Sequence, residues 1–116
     1  MKLSTHTSRL LQSRQEQIRQ MPSWNQIIRG TLMQYYRTCG NRGCHCYSSK
    51  RLRHGPYWYL SVQWKGGKQK LYKIETSMIT KVKDGIRAYH KLWEGVYSIA
   101  ELNLALLRHA QEEMRK

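Results

Sequence analysis

All three cysteines of this chain fall within one short stretch, Cys39-Gly40-Asn41-Arg42-Gly43-Cys44-His45-Cys46, and His54 follows just ahead of Pro56-Tyr57-Trp58-Tyr59. Three thiols and an imidazole on one loop are the donor inventory of a tetrahedral structural zinc site. Cys39-x4-Cys44 lies at the edge of the usual ligand spacing, and Cys44-x-Cys46 is tighter than the common two-residue gap, so donor type carries the reading more than spacing does. Gly40 and Gly43 are expected to relieve the backbone where the first ligands converge, and Gly55 follows the fourth. Cys39, Cys44 and Cys46 are the fixed ligands. His54 leads for the fourth position, and His45, squeezed between two cysteines, is its substitute. The competing picture is three reduced thiols in a basic loop. Flanked by Arg42, Lys50, Arg51 and Arg53, such thiols would have low pKa values and oxidise easily, so a bound Zn2+ is the better expectation.

Length and charge narrow what this loop serves. A chain of 116 residues with 40% hydrophobic content is expected to form a single domain, 1–116, with a modest core that needs a staple. An odd cysteine count, no secretory segment at the N-terminus and no apolar run near ~18 residues predict a reduced, soluble, cytoplasmic protein with no membrane association. The net charge is +14, and it is unevenly placed. Residues 1–75 hold 14 Lys and Arg against Glu16 and Glu75 alone, a net +12, whereas residues 76–116 carry only +2. One region is built to face a polyanion and the other is not.

The elements that must position the loop follow from periodicity. Leu10, Leu11, Ile18 and Met21 recur near helical spacing among Arg9, Arg14 and Arg19, which predicts a basic amphipathic helix over 4–21, stopped by Pro22. Residues 29–75 read as zinc knuckle and sheet. Thr31-Leu32-Met33-Gln34-Tyr35-Tyr36-Arg37 is rich in strand formers, and residues 57–65 alternate, with Trp58, Leu60, Val62 and Trp64 on a core face. Gly66-Gly67 suits a tight hairpin turn into a return strand, 68–74. The expected fold class is α+β: a small antiparallel three-stranded sheet with a zinc knuckle, an N-terminal helix, and a long C-terminal helix over 77–114.

That last helix has a heptad seam running through Tyr89, Trp93, Val96, Asn103 and Leu107, with a second row at Met78, Leu92, Ile99 and Leu106. It is too long for so small a sheet. Its partner is either the N-terminal helix or the same helix of a second chain in a coiled-coil homodimer, where Asn103 would fix register; in the intramolecular case Asn103 faces solvent.

Around the loop, Arg37, Arg42, Lys50, Arg51 and Arg53 are interleaved with Tyr47, Tyr57 and Tyr59, and the hairpin adds Lys65, Lys68, Lys70 and Lys73. Guanidinium and ammonium groups neutralise phosphates while flat rings stack on bases, so these residues are the candidate nucleic-acid contacts, for DNA or RNA. A solvated charge run with sheet tyrosines is the plainer alternative, but a +12 segment without a polyanionic partner repels itself. Catalysis is not expected. The seven carboxylates are scattered, none lies between Glu16 and Glu75, and a zinc hydrolase needs an open coordination position with a general base beside it.

The order Gly30-Thr31-Leu32, Cys39 to Cys46, His54-Gly55-Pro56-Tyr57-Trp58-Tyr59-Leu60, Gly67-Lys68 and Glu101-Leu102-Asn103 resembles an uncharacterised family of small prokaryotic proteins known only as a domain of unknown function. The resemblance covers most of residues 29–109, and the Cys/His block followed by Gly-Pro-Tyr is its specific part. It implies a setting near mobile elements and no established activity. Two functions are therefore expected to compete. The first is a non-enzymatic, zinc-stabilised nucleic-acid-binding protein, a regulator or accessory of a mobile-element or nucleoprotein enzyme. The second is a protein-binding adaptor or inhibitor that docks on a nucleoprotein complex.

Overall fold

Ser4 has extended backbone angles and its hydroxyl accepts the Thr7 N–H at 3.0 Å, so the first helix, α1 (Thr5–Arg19), begins on a capped turn. Replacing this cap, Ser4→Ala, is expected to destabilise α1 by about 1 kcal/mol. Circular dichroism checks it: unchanged helical signal and melting would show the cap to be idle. The computed structural model describes residues 4–115. It is α+β: α1, three antiparallel strands, a Cys3His cluster and a long C-terminal helix, α2 (Ile79–Met114). The chain divides into two compact units, one formed by the N-terminal segment to Ile27 together with Arg87 onward, the other by Ile28–Ile86.

In the helical unit α1 runs antiparallel to α2. Ser4 Oγ lies 3.2 Å from His109 Nε2, Arg14 Nη1 donates to Asn103 Oδ1 at 2.9 Å, and Met21 packs over Gly95 so closely that a side-chain carbon there would strike its sulfur. The inward row of α2 is Leu92, Gly95, Ile99, Leu102 and Leu106, all buried or half-buried. This row is one residue out of phase with the expected seam. Trp93 is 55% exposed and Leu107 57%, Val96 and Asn103 are exposed as well, and only Tyr89 is half-buried. Both rows keep heptad spacing, but only one contains a glycine that lets the second helix approach. Asn103 is at the surface, as the intramolecular alternative requires, yet its amide is engaged by Arg14.

In the sheet unit β1 (Thr31–Arg37), β2 (His54–Gln63) and β3 (Gln69–Ile74) pair in the order β1-β2-β3. The register sets Leu32 opposite Leu60, and Leu60 opposite Tyr72. Leu60, Val62 and Val82 form the buried core, with Ile28, Leu32, Ile74 and Ile86 packed against it. The Ile28 N–H donates to the Gly85 carbonyl at 3.0 Å, which ties the strand entry to the first turns of α2. Trp58 is half-buried, with the Lys83 ammonium 5.4 Å from its ring centre.

The end of β2 and the hairpin differ from expectation. Trp64 is 48% exposed rather than core, because β2 ends at Gln63; the Arg29 guanidinium stands 5.6 Å from its ring and donates to the Gln63 carbonyl at 2.6 Å. The hairpin loop is also longer than two residues, since the last cross-strand pair is Gln63 with Gln69. Within it the Trp64 N–H reaches the Lys68 carbonyl at 2.6 Å, and Gly66 and Gly67 supply the positive φ angles, 84° and 82°.

Candidate metal centre and the basic face beside it

The cysteine loop joins β1 to β2, and its two ends are held by the ladder. Arg37, the last residue of β1, pairs with His54, the first of β2, across a bulge at Tyr36. Cys39 therefore leaves the sheet close to where His54 enters it. Between them Asn41 makes the turn, its Oδ1 accepting from the Gly43 N–H and its carbonyl from the Cys44 N–H, both at 3.0 Å. A single helical turn, His45–Tyr47, then points Cys46 inward and leaves His45 exposed.

The result is a four-donor cluster. The ligand atoms of Cys39, Cys44, Cys46 and His54 all lie within 4.8 Å of one another, with Cys39 Sγ 3.7 Å from Cys46 Sγ and Cys44 Sγ 3.4 Å from His54 Nε2. Four mutually close donors converging on one point are a candidate metal site. His54 takes the fourth position, and His45 stands outside. Cys46 is 1% exposed, and the Cys39 N–H points at its sulfur at 3.4 Å, a hydrogen bond that orients the side chain. The Tyr47 hydroxyl donates to the Cys39 carbonyl and braces the same turn.

Electrostatics differ among the thiols. The N–H of Cys46, followed by the His54 side chain, pulls the Cys44 thiol down to about 6, so that it is largely thiolate at neutral pH, the form that binds metal. Burial pushes the Cys46 thiol up. All three cysteines are free of disulfides. The expected role of Gly40 and Gly43 is not what shapes the turn: neither has positive φ, and the Asn41 side chain does the bending. Gly55 does matter. Its φ of 141° and the 2.8 Å from its Cβ position to the Tyr35 carbonyl leave room for glycine alone.

The basic and aromatic candidates separate into groups. Arg37, Tyr57, Tyr59 and Lys73 come together on the sheet face opposite the core: the Arg37 guanidinium lies 4.9 Å from the Tyr57 ring centre and 5.3 Å from that of Tyr59, and donates to the Tyr59 hydroxyl, while the Lys73 ammonium is 5.7 Å from Tyr57. Arg42, Tyr47, Lys50, Arg51 and Arg53 are exposed on the cysteine loop. The hairpin lysines do not form one edge. Lys65 and Lys68 flank the glycine turn, and Lys70, paired with Val62, is on the opposite face from Lys73, which pairs with Tyr59. Tyr35 was not among the candidates, yet its ring meets that of Tyr59 at 5.6 Å. Its partner is Tyr57 across the β1–β2 ladder, a relation that only the register discloses.

Among the described residues no helix is long and apolar enough to cross a membrane. Comparison with curated proteins and with solved structures returned no match. Residues 7–72, running from α1 into β3 and stopping short of Glu101-Leu102-Asn103, match the family described as Domain of unknown function (DUF6788), and the chain belongs to that family.

Proposed function

We propose that this is a non-enzymatic nucleic-acid-binding protein whose contact surface is braced by a structural Zn2+ held by Cys39, Cys44, Cys46 and His54. Zinc bound at about 2.3 Å to sulfur and about 2.0 Å to nitrogen in a tetrahedron has ligand–ligand edges of roughly 3.4–3.8 Å. The two donor separations of 3.7 and 3.4 Å fit those edges. Three thiolates with one imidazole are also the donor set zinc favours, and four protein ligands leave no position for substrate. The bound ion would supply a fixed geometry and no reaction. Reduced thiols support a cytoplasmic setting.

The observation that carries the nucleic-acid reading is the basic and aromatic cluster of Arg37, Tyr57, Tyr59 and Lys73, adjoining a loop that exposes Arg42, Lys50, Arg51 and Arg53 in a stretch without any carboxylate between Glu16 and Glu75. Cations with no internal counter-charge favour a polyanion. Binding to arbitrary DNA and RNA oligonucleotides is expected to weaken steeply with salt, log K falling by close to one unit per log unit of salt for each phosphate neutralised. Affinity that ignores salt would reject the reading.

A protein partner has its own support. Trp93, Val96, Tyr97, Leu104 and Leu107 leave an exposed apolar stripe along α2, at the spacing of a helix–helix seam. This favours a homodimer through α2, or docking as an adaptor or inhibitor on a nucleoprotein complex. The resemblance to proteins met near mobile elements supports a role for either activity beside such an enzyme, as regulator or accessory. Sedimentation of the purified chain separates a dimer from a monomer that waits for another protein.

A further inference from the structure

The sheet has one face on the core and a second that is only partly covered, with Tyr57 and Tyr59 half-buried and Tyr35 and Leu71 exposed. Alternation and register put Met33 and Tyr35 of β1, Tyr57 and Tyr59 of β2, and Leu71 and Lys73 of β3 on that second face. The Tyr35 and Tyr59 rings meet edge to face at 5.6 Å and 72°, and Tyr35, Tyr36, Arg37, Tyr59 and Leu71 line an open recess of about 480 Å³. The cations border the rings rather than forming a separate patch: Arg37 lies over Tyr57 and Tyr59, and Lys73 over Tyr57.

Such a face is matched to one form of nucleic acid. A duplex hides its base planes inside its own stack and offers phosphates and groove edges, which are read by a helix or ribbon that protrudes into a groove. The ribbon available here is poorly suited, because Lys70 and Lys73 stand on opposite faces. Unpaired bases, by contrast, present flat π surfaces that need exposed aromatic rings with positive charge alongside for the backbone. Resting on the nucleic-acid reading above, we infer that the outward sheet face is a stacking platform for single-stranded nucleic acid. Tyr35 and Tyr59 receive unpaired bases, and Arg37 and Lys73 take the flanking phosphates. A phosphate draws the Arg37 guanidinium off the tyrosine rings and opens them to the bases. Stacking tolerates any base, so the platform is expected to show little sequence preference.

The test uses the full chain with its metal, fluorescence anisotropy, and three probes: a short oligothymidylate, an oligouridylate of the same length, and a mixed-sequence duplex. Single strands should bind more tightly than duplex, and the first two probes distinguish DNA from RNA. Tyr35→Leu and Tyr59→Leu should each weaken single-strand binding roughly five- to hundredfold, with the salt slope retained. Tyr59→Phe, which keeps the ring, should bind like the wild type. Folding of each variant is checked by circular dichroism and metal content, and if Tyr59→Leu does not fold, Tyr35→Leu on the edge strand decides alone. Leucine variants that bind single strands at full strength, or a preference for duplex, overturn the platform and leave the general nucleic-acid reading standing. Salt-insensitive or absent binding to all three probes removes both.

Discussion

Treatment with a strong chelator is expected to unfold the 28–86 unit, and Cys46→Ser is expected to do the same without chelator. The core of that unit is small: Leu60, Val62 and Val82 form its buried cluster among the described residues, with four further side chains only partly covered. Structural zinc in small domains contributes an apparent ~10–16 kcal/mol at neutral pH, comparable with or above the ~5–15 kcal/mol that holds a typical domain folded. Metal energy is then folding energy. Cys46 is the most damaging candidate ligand to lose because it is buried and accepts the Cys39 N–H, and a serine there replaces the soft sulfur donor with a hydroxyl on a shorter bond. His54→Ala should lower metal content, whereas His45→Ala should leave it unchanged, since only His54 joins the cluster. The readings are metal per chain in protein purified without added metal and thermal melts with and without chelator. Metal-free protein that melts identically in both conditions would reject the site.

Gly55→Ala is expected to destabilise the sheet unit by roughly 3 kcal/mol and to weaken metal retention at the same time. Part of the cost is conformational, because a φ of 141° lies in a region that side chains resist by about 1–3 kcal/mol. The rest is steric. The added carbon would sit 2.8 Å from the Tyr35 carbonyl and 3.0 Å from the Tyr36 ring, and the first of these is backbone of a paired strand that cannot swing aside. Relief requires moving either β1 or the start of β2, and the start of β2 carries His54. A Gly43→Ala control should be nearly silent by comparison, as its φ is ordinary and its nearest neighbour is the Asn41 side chain at 3.4 Å. Denaturant melts and metal content measure both effects. Equal stability of the two variants would contradict the assignment of Gly55 as the strained position.

The parts of this fold that were legible in sequence are those with a local cause. The helix of α1 ahead of Pro22, the β-former run of β1, the alternation through Leu60 and Val62, and the ligand types of the cysteine loop all depend on neighbours in the chain. What could not be read depends on distant partners. Two heptad rows lie one residue apart on α2, and periodicity cannot say which one α1 covers; the row that α1 covers is the one in which Gly95 lies under Met21. The outward tyrosine cluster needed the β1–β2 register before Tyr35 could be placed beside Tyr59. Trp64 looked like a core residue because alternation continued through it, while the strand ended one residue earlier. The choice between His45 and His54 turned on a single helical turn that points Cys46 inward and His45 out.

The placement of the ligands has a consequence for how the sheet closes. Residues 38–53 separate β1 from β2, a span too long to set strand register as a tight turn does. Cys39 stands two residues beyond the end of β1, and His54 is the first residue of β2. An ion bound by both shortens the effective loop from that whole span to the few atoms between two ligands, which lowers the loop-closure entropy that the β1–β2 ladder must overcome. Such a coordination bond would do the work of a hairpin turn. Residues 47–53, lying between the third candidate ligand and the fourth, would be released from that duty, so their length and composition could change while the strands keep their pairing.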